Sequence, residues 1–304
     1  MSFNPVPVQP WRRFLQTVAL FVVGGLAAAV LFDRPDAGNG RPATVEVPKT
    51  AEVRTAQAPT AKSRFERQVA ELHRLYQAAP TLSVEELVVR EESELENDST
   101  MAIAALQTPA QFRIPAHPSN FGDRLSRDTR GKLLDNPLLV VLHETTSAAS
   151  GAVNTVLTPH PHDDDQISYH AIICQDGTIL YLVDPLKRAY GAGNSAFKGK
   201  NGLETVQTNK NLKPSVNNFA YHISLETPSG GYNSNSEHVG YSGEQYTSLA
   251  WLTAHSGVED SRITTHLAVD RSGERQDPRS FEMDWLKQDL ALQRTDFVSL
   301  GATP

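Results

Sequence analysis

A chain of 304 residues with 39% hydrophobic content is long enough for one sizeable domain, and apolar-poor enough that part of it builds no core. A formal charge of -7 argues against a general nucleic-acid binder, whose affinity comes from a basic face set against phosphates. The single cysteine, Cys174, excludes an internal disulfide framework, a cysteine-based zinc knuckle and a lipid-modified N-terminal cysteine.

Arg12 and Arg13 precede an uncharged run from Phe14 to Phe32, closed by Asp33, Arg34 and Asp36. Roughly 20 apolar residues span a bilayer, so residues 1–32 read as a signal-anchor or transmembrane segment. The arginines on its amino side orient residues 1–13 toward the cytoplasm and everything after residue 33 away from it. Ala27-Ala28-Ala29 also offers a small-residue cleavage site, although Val30-Leu31-Phe32 carry the apolar run past it. A retained membrane anchor and a cleaved export signal both stand, and either places the rest in the cell envelope on the periplasmic side.

Residues 33–63 are rich in Pro, Ala, Thr and Gly and read as a disordered tether, with a typical end-to-end distance of about 30 Å. Residues 64–110 form a helical stalk or packing segment. Within it, Phe65, Val69, Leu72, Leu75 and Tyr76 recur at helical spacing behind a Ser63 cap with Glu66 three residues on, and a second, acidic helix over 83–98 is capped at Ser83.

The folded domain is expected over 111–297, with 298–304 as a tail. "PLLVVLHETT" (137–146) reads as a buried strand ending in a polar turn, and residues 147–157 as the helix after it. "SYHAIICQDGTILYLVDP" (168–185) is a hairpin turned at Asp176-Gly177. "FAYHISLET" (219–227) is a further strand and residues 242–257 an amphipathic helix. Strands alternating with helices imply an α/β fold with a mixed central sheet flanked by helices.

His143 falls at the carboxyl end of a buried strand, where α/β folds display ligands and catalysts; alone it reads equally as a satisfied structural histidine. With His266 and Asp277 it completes two neutral imidazoles and a carboxylate, a donor set used by catalytic zinc. Glu226 ends an apolar strand, where desolvation raises a carboxylate's pKa toward a range useful for acid/base work; a structural carboxylate paired with a loop cation is the other reading. "HPHDDDQ" (160–166) carries metal-ligand residue types in the pattern of an exposed loop. Residues 187–213 hold six basic residues against one acid, either a solvated loop or a cationic rim for substrate carboxylates. His170, His222, His238 and His255 read as packing or surface residues.

Five stretches, in order, resemble the zinc-dependent N-acetylmuramoyl-L-alanine amidases, the amidase type 2 and peptidoglycan recognition protein-like family. "LLVVLHETT" resembles its first strand, "SYHAIICQDGTILYLVDP" its hairpin, and "RAYGAGNSAFKG" (188–199) its His-Ala-Gly-x-Ser segment. "YHISLET" is similar to its Ser-Ile-Gly-Ile-Glu strand, and "THLAVDRSGERQDP" to its closing ligand loop. The resemblance covers roughly 111–290. It implies a zinc site of His143, His266 and Asp277, with Glu226 as acid/base residue. It also implies hydrolysis of the amide between N-acetylmuramic acid and L-alanine in peptidoglycan. Arg275 stands where the family usually carries a lysine, and Tyr169 where some relatives carry a tyrosine that assists catalysis. Gly191 replaces the histidine of the His-Ala-Gly motif, which implies an altered substrate wall. Relatives that lack a zinc ligand bind peptidoglycan without cutting it, so a non-catalytic binding module is the alternative. The expected partners are peptidoglycan and, through the N-terminal segment, a membrane.

Overall fold

The computed structural model describes residues 61–96 and 108–299. The expected membrane segment, nearly all of the tether and the end of the tail lie outside them. Among the described residues, no helix is long and apolar enough to cross a membrane.

The chain enters through α1 (Ala61–Ala78) and α2 (Val84–Glu96). Helix α1 begins upstream of Ser63, so Ser63 lies inside it and is not its cap; Ala61 and Lys62 are good helix formers that extend the first turn backward. Ser83 does cap α2. Its hydroxyl accepts the Glu86 N–H at 3.2 Å while the Glu86 carboxylate accepts the Ser83 N–H at 2.9 Å, a reciprocal capping box.

The strands β1 (Gln111–Arg113), β2 (Phe121–Asp123), β3 (Leu139–Glu144), β4 (Ala171–Ile173), β5 (Ile179–Tyr181), β6 (Lys187–Ala189), β7 (Phe197–Gly199), β8 (Gly202–Glu204), β9 (Ala220–Leu225) and β10 (Ile263–Thr265) follow. Six of them form one sheet in the order β1-β5-β4-β9-β3-β10, in which only β4 and β5 run antiparallel. β2 pairs with β6, and β7 with β8, in small antiparallel ribbons. Four more helices complete the fold: α3 (Ala149–Leu157), α4 (Gly243–His255), the single turn α5 (His266–Val269) and α6 (Met283–Ser299). This is the expected mixed sheet with helices on both faces.

Strand periodicity sorts the core. Leu138, Val140 and Leu142 face a cluster that also holds Val69, Leu72, Leu75 and Tyr76 of α1, Leu249 and Leu252 of α4, and Leu286 and Leu290 of α6. Leu139 and Val141 pack into a second cluster on the opposite face with Val216 and Phe219. Ile172, Leu180 and Val153 of α3 meet Leu87 of α2 in a third. Both entry helices therefore contribute to the core.

The β4–β5 turn shows why its sequence is Asp-Gly. Asp176 accepts hydrogen bonds from the Thr178 N–H at 2.7 Å and hydroxyl at 2.6 Å, and Gly177 takes a positive φ of 82°. A Cβ at Gly177 would also fall 2.9 Å from the Glu244 carbonyl, so α4 packs directly on the turn.

Candidate metal centre

β3 and β10 are parallel neighbours with Leu142 opposite Thr265, so the next residue of each strand, His143 and His266, arrives at the same carboxyl edge. Their rings lie 4.6 Å apart. Asp277, eleven residues after His266, returns over this edge and receives both imidazoles. His143 Nδ1 is 3.1 Å and His266 Nδ1 3.0 Å from its carboxylate. One donor atom from each residue lies within 4.8 Å of the other two. The triad expected from the sequence is thus assembled.

Its electrostatics match a cation site. Burial pushes the His143 pKa down to about 4, against the opposing pull of Asp277, so this imidazole is neutral at pH 7. Burial alone would raise Asp277, but the hydrogen bonds and charges of His143 and His266 outweigh it and hold the carboxyl well below the usual range. Two nitrogen donors and an ionised carboxylate fit zinc, which accepts mixed N and O ligands.

The loop between His266 and Asp277 is shaped by Asp270. This carboxylate accepts the backbone N–H groups of Ser272 at 3.0 Å, Gly273 at 2.7 Å and Glu274 at 3.1 Å, and the Ser272 hydroxyl at 2.8 Å. Burial opposes the shift, yet these donors bring the Asp270 pKa down to about 2. Arg275 lies on this loop with its side chain exposed, and its charge reaches both His143 and Tyr169.

Tyr169 packs its ring 5.0 Å from that of His143. Burial raises its pKa, and its hydroxyl lies beside Ser224 within electrostatic reach of Asp277 and Arg275. Glu226 follows β9 and is only 4% exposed. The Ala149 N–H donates to one of its oxygens at 3.0 Å and the Gln175 N–H to the other at 2.9 Å. Burial nonetheless leaves its pKa above the ordinary glutamate value. No loop cation pairs with it among the described residues; its partners are the Ala149 and Gln175 backbone amides and the Gln175 side chain.

Two features of the surround were missed in the sequence. Glu144, beside His143, is buried and holds Arg279, whose Nε donates to it at 2.6 Å and whose Nη2 donates at 3.1 Å. Arg279 also donates to the carbonyls of Gly231 at 2.7 Å, Asn233 at 2.9 Å and Asn235 at 2.7 Å, so the pair ties loop 228–240 to the centre. His238 lies 3.2 Å from Glu144 in the same cluster. No local pattern links Glu144 to a residue 135 positions away. His222 is the second: its Nδ1 is 2.9 Å from His143 Nε2. The Asp270 turn, by contrast, was legible as Asp-x-Ser-Gly, a common self-bonding turn sequence.

The remaining polar stretches stay apart from the triad. His160 bonds Asn120 at 2.9 Å, and Asp163–Asp165 form a short helical turn with Asp163 and Asp165 exposed. In the basic stretch, Lys187 pairs with Asp123 at 2.6 Å while Lys198, Lys200, Lys210 and Lys213 are exposed.

Residues 134–280 match the family described as N-acetylmuramoyl-L-alanine amidase, amidase type 2. No curated protein sequence matches the chain. Among solved structures, a selenomethionine derivative of AmpD is similar at 20% identity and TM-score 0.42, over 63% of this chain and 99% of that one. AmpD of Citrobacter freundii is similar at 21% identity and TM-score 0.37, over 65% and 97%. AmpDh3 of Pseudomonas aeruginosa, in complex with anhydromuramic pentapeptide, is similar at 15% identity and TM-score 0.36, over 67% and 75%. The matched span contains His143, Glu226, His266 and Asp277, and through residues 134–280 the chain belongs to the N-acetylmuramoyl-L-alanine amidase type 2 family.

Proposed function

We propose that this amidase cuts the amide bond between N-acetylmuramic acid and L-alanine in peptidoglycan, with zinc held by His143, His266 and Asp277. The observation that carries the reading is the convergence of these three donors, from two strand ends and one loop, within 4.8 Å. Zinc in such a site supplies the Lewis acidity that acidifies the attacking water and polarises the amide carbonyl.

The protein's own groups supply the rest. Glu226, desolvated and held by two backbone amides, takes the proton from water and delivers it to the leaving amine. Each of its oxygens keeps a second lone pair, so the amides fix its orientation without using up its basicity. Arg275, exposed at the mouth of the site, shares the negative charge that develops on the carbonyl oxygen. Tyr169 backs the His143 ring and walls the pocket.

The place of action is part of the same proposal: the cell envelope on the periplasmic side, reached through the N-terminal apolar segment, either as an anchor or as an export signal.

Digestion of purified muropeptides by the chain, with and without a zinc chelator, tests the function. Mass analysis should show free stem peptide beginning at L-alanine, lost on chelation and restored by zinc. Release of sugar fragments instead, or binding with no release, would sink the proposed reaction; the second outcome would favour a binding module.

A further inference from the structure

His222 lies on β9, two residues before Ser224, which pairs with His143 across the strands. Its side chain is fully buried. Among the described residues the ring makes one hydrogen bond, between its Nδ1 and His143 Nε2 at 2.9 Å. Among the described residues nothing bonds its Nε2, so no second polar contact accounts for burying an imidazole there. The ring's pose is fixed from behind: His170 stacks on it at 5.8 Å and 7°, and His170 Nδ1 accepts the His222 backbone N–H at 2.9 Å.

The room for this ring comes from Gly191. A Cβ built on Gly191 would fall 2.5 Å from His222 Nδ1 and 2.6 Å from its Cγ. Gly191 is not among the glycines with positive φ, so its backbone would accept an L side chain and only the neighbouring imidazole forbids one. The departure noted at position 191 is therefore coupled to the histidine at 222. The two positions share one volume, and here the imidazole enters it from β9.

A neutral imidazole has one N–H. If His143 Nδ1 faces a metal, its proton must sit on Nε2, and the atom in line to receive it is His222 Nδ1. We infer that His222 is a positioning residue for the metal centre, accepting the outer N–H of His143 and so committing His143 Nδ1 to the metal, with Gly191 providing the space. Fixing a ligand's tautomer and ring plane in this way is worth about 10- to 100-fold in metal affinity. The inference rests on the proposed metal role of the triad.

Zinc titration of the full chain against a competing chelator tests it. His222→Leu removes the acceptor at similar volume and should weaken zinc about 10- to 100-fold. His222→Asn places an oxygen near the Nδ1 position and should stay within a few-fold of wild type. Gly191→Ala should weaken zinc in the wild-type background and add little beside His222→Ser. Equal affinity for wild type and His222→Leu overturns the assignment to His222. A wild-type chain that binds no zinc instead overturns the metal reading beneath it. If the Leu variant does not fold, the zinc-loaded wild type decides: histidine nitrogen NMR should find protons on Nε2 of both His143 and His222. A proton on His222 Nδ1 overturns the proposal.

Discussion

Tyr169 borders the centre and Glu226 follows β9, the strand paired with the one that carries His143, and their surroundings assign them different work. Among the described residues Glu226 has no counter-cation to hold it ionised, and burial raises its pKa. Its replacement by glutamine keeps the shape and one of the two amide contacts, since the new NH2 cannot accept the other N–H, and it removes the base. The expected loss is about 10²- to 10⁴-fold in kcat with zinc content unchanged; near-full activity would refute the role. The sign of the pH effect follows from the base having to be ionised: activity falls as pH drops through the folded pKa, which lies above that of free glutamate. The acid limb of kcat/KM should therefore sit above the ordinary glutamate range and vanish from the residual rate of Glu226→Gln. Tyr169 differs because its ring rests on His143 and its hydroxyl lies beside Ser224. Tyr169→Phe keeps the wall, so kcat should fall less than about tenfold, well short of the roughly 10²- to 10³-fold cost of losing an oxyanion donor. A loss in that larger range would move Tyr169 into the reaction itself.

Among the elements, α3 bears most directly on the chemistry. Its cap residue, Ala148, offers no side-chain hydrogen bond. Carboxylates from elsewhere fill the need: Glu226 accepts the Ala149 N–H, and Glu91 of α2 accepts the Ser150 N–H at 2.8 Å and hydroxyl at 2.6 Å. One helix start thus couples an entry helix to the proposed base, and the Glu91 charge contributes to the raised Glu226 pKa. Glu91→Ala should lower stability by about 0.5–2 kcal/mol in chemical denaturation, as loss of a capping group does. It should also move the acid limb of the pH profile to lower pH, because one like charge is gone. An unmoved limb would show that Glu91 is structural only.

At the scale of the whole molecule, the entry helices are part of the core. Leu72 is 0% and Val69 3% exposed, packed against the sheet with α4 and α6. Each such side chain stabilises by about 1.5–3 kcal/mol, against a total of about 5–15 kcal/mol for a domain. A chain beginning at residue 108 should therefore show a strongly lowered melting temperature or fail to fold by circular dichroism. A cooperative transition at the wild-type temperature would contradict this. The same buried contacts explain why residues 64–110 were hard to place from sequence: the apolar spacing of Phe65 to Tyr76 shows an amphipathic helix, but not what covers it.

What the sequence by itself determined is local. The β4–β5 turn, the Ser83 cap, the continuous apolar run that buries β3 and the types of the candidate metal donors all follow from residues close in the chain, because torsional preference and hydrophobic patterning act over short separations. The tertiary structure decided the convergences. Strand register sets His143 beside His266, the Glu144–Arg279 pair ties loop 228–240 to the centre, and the missing side chain of Gly191 makes room for His222. Each joins residues that no local rule relates. Their meeting depends on which strands are neighbours and how volume is shared across them, and packing settles both only when the whole sheet closes.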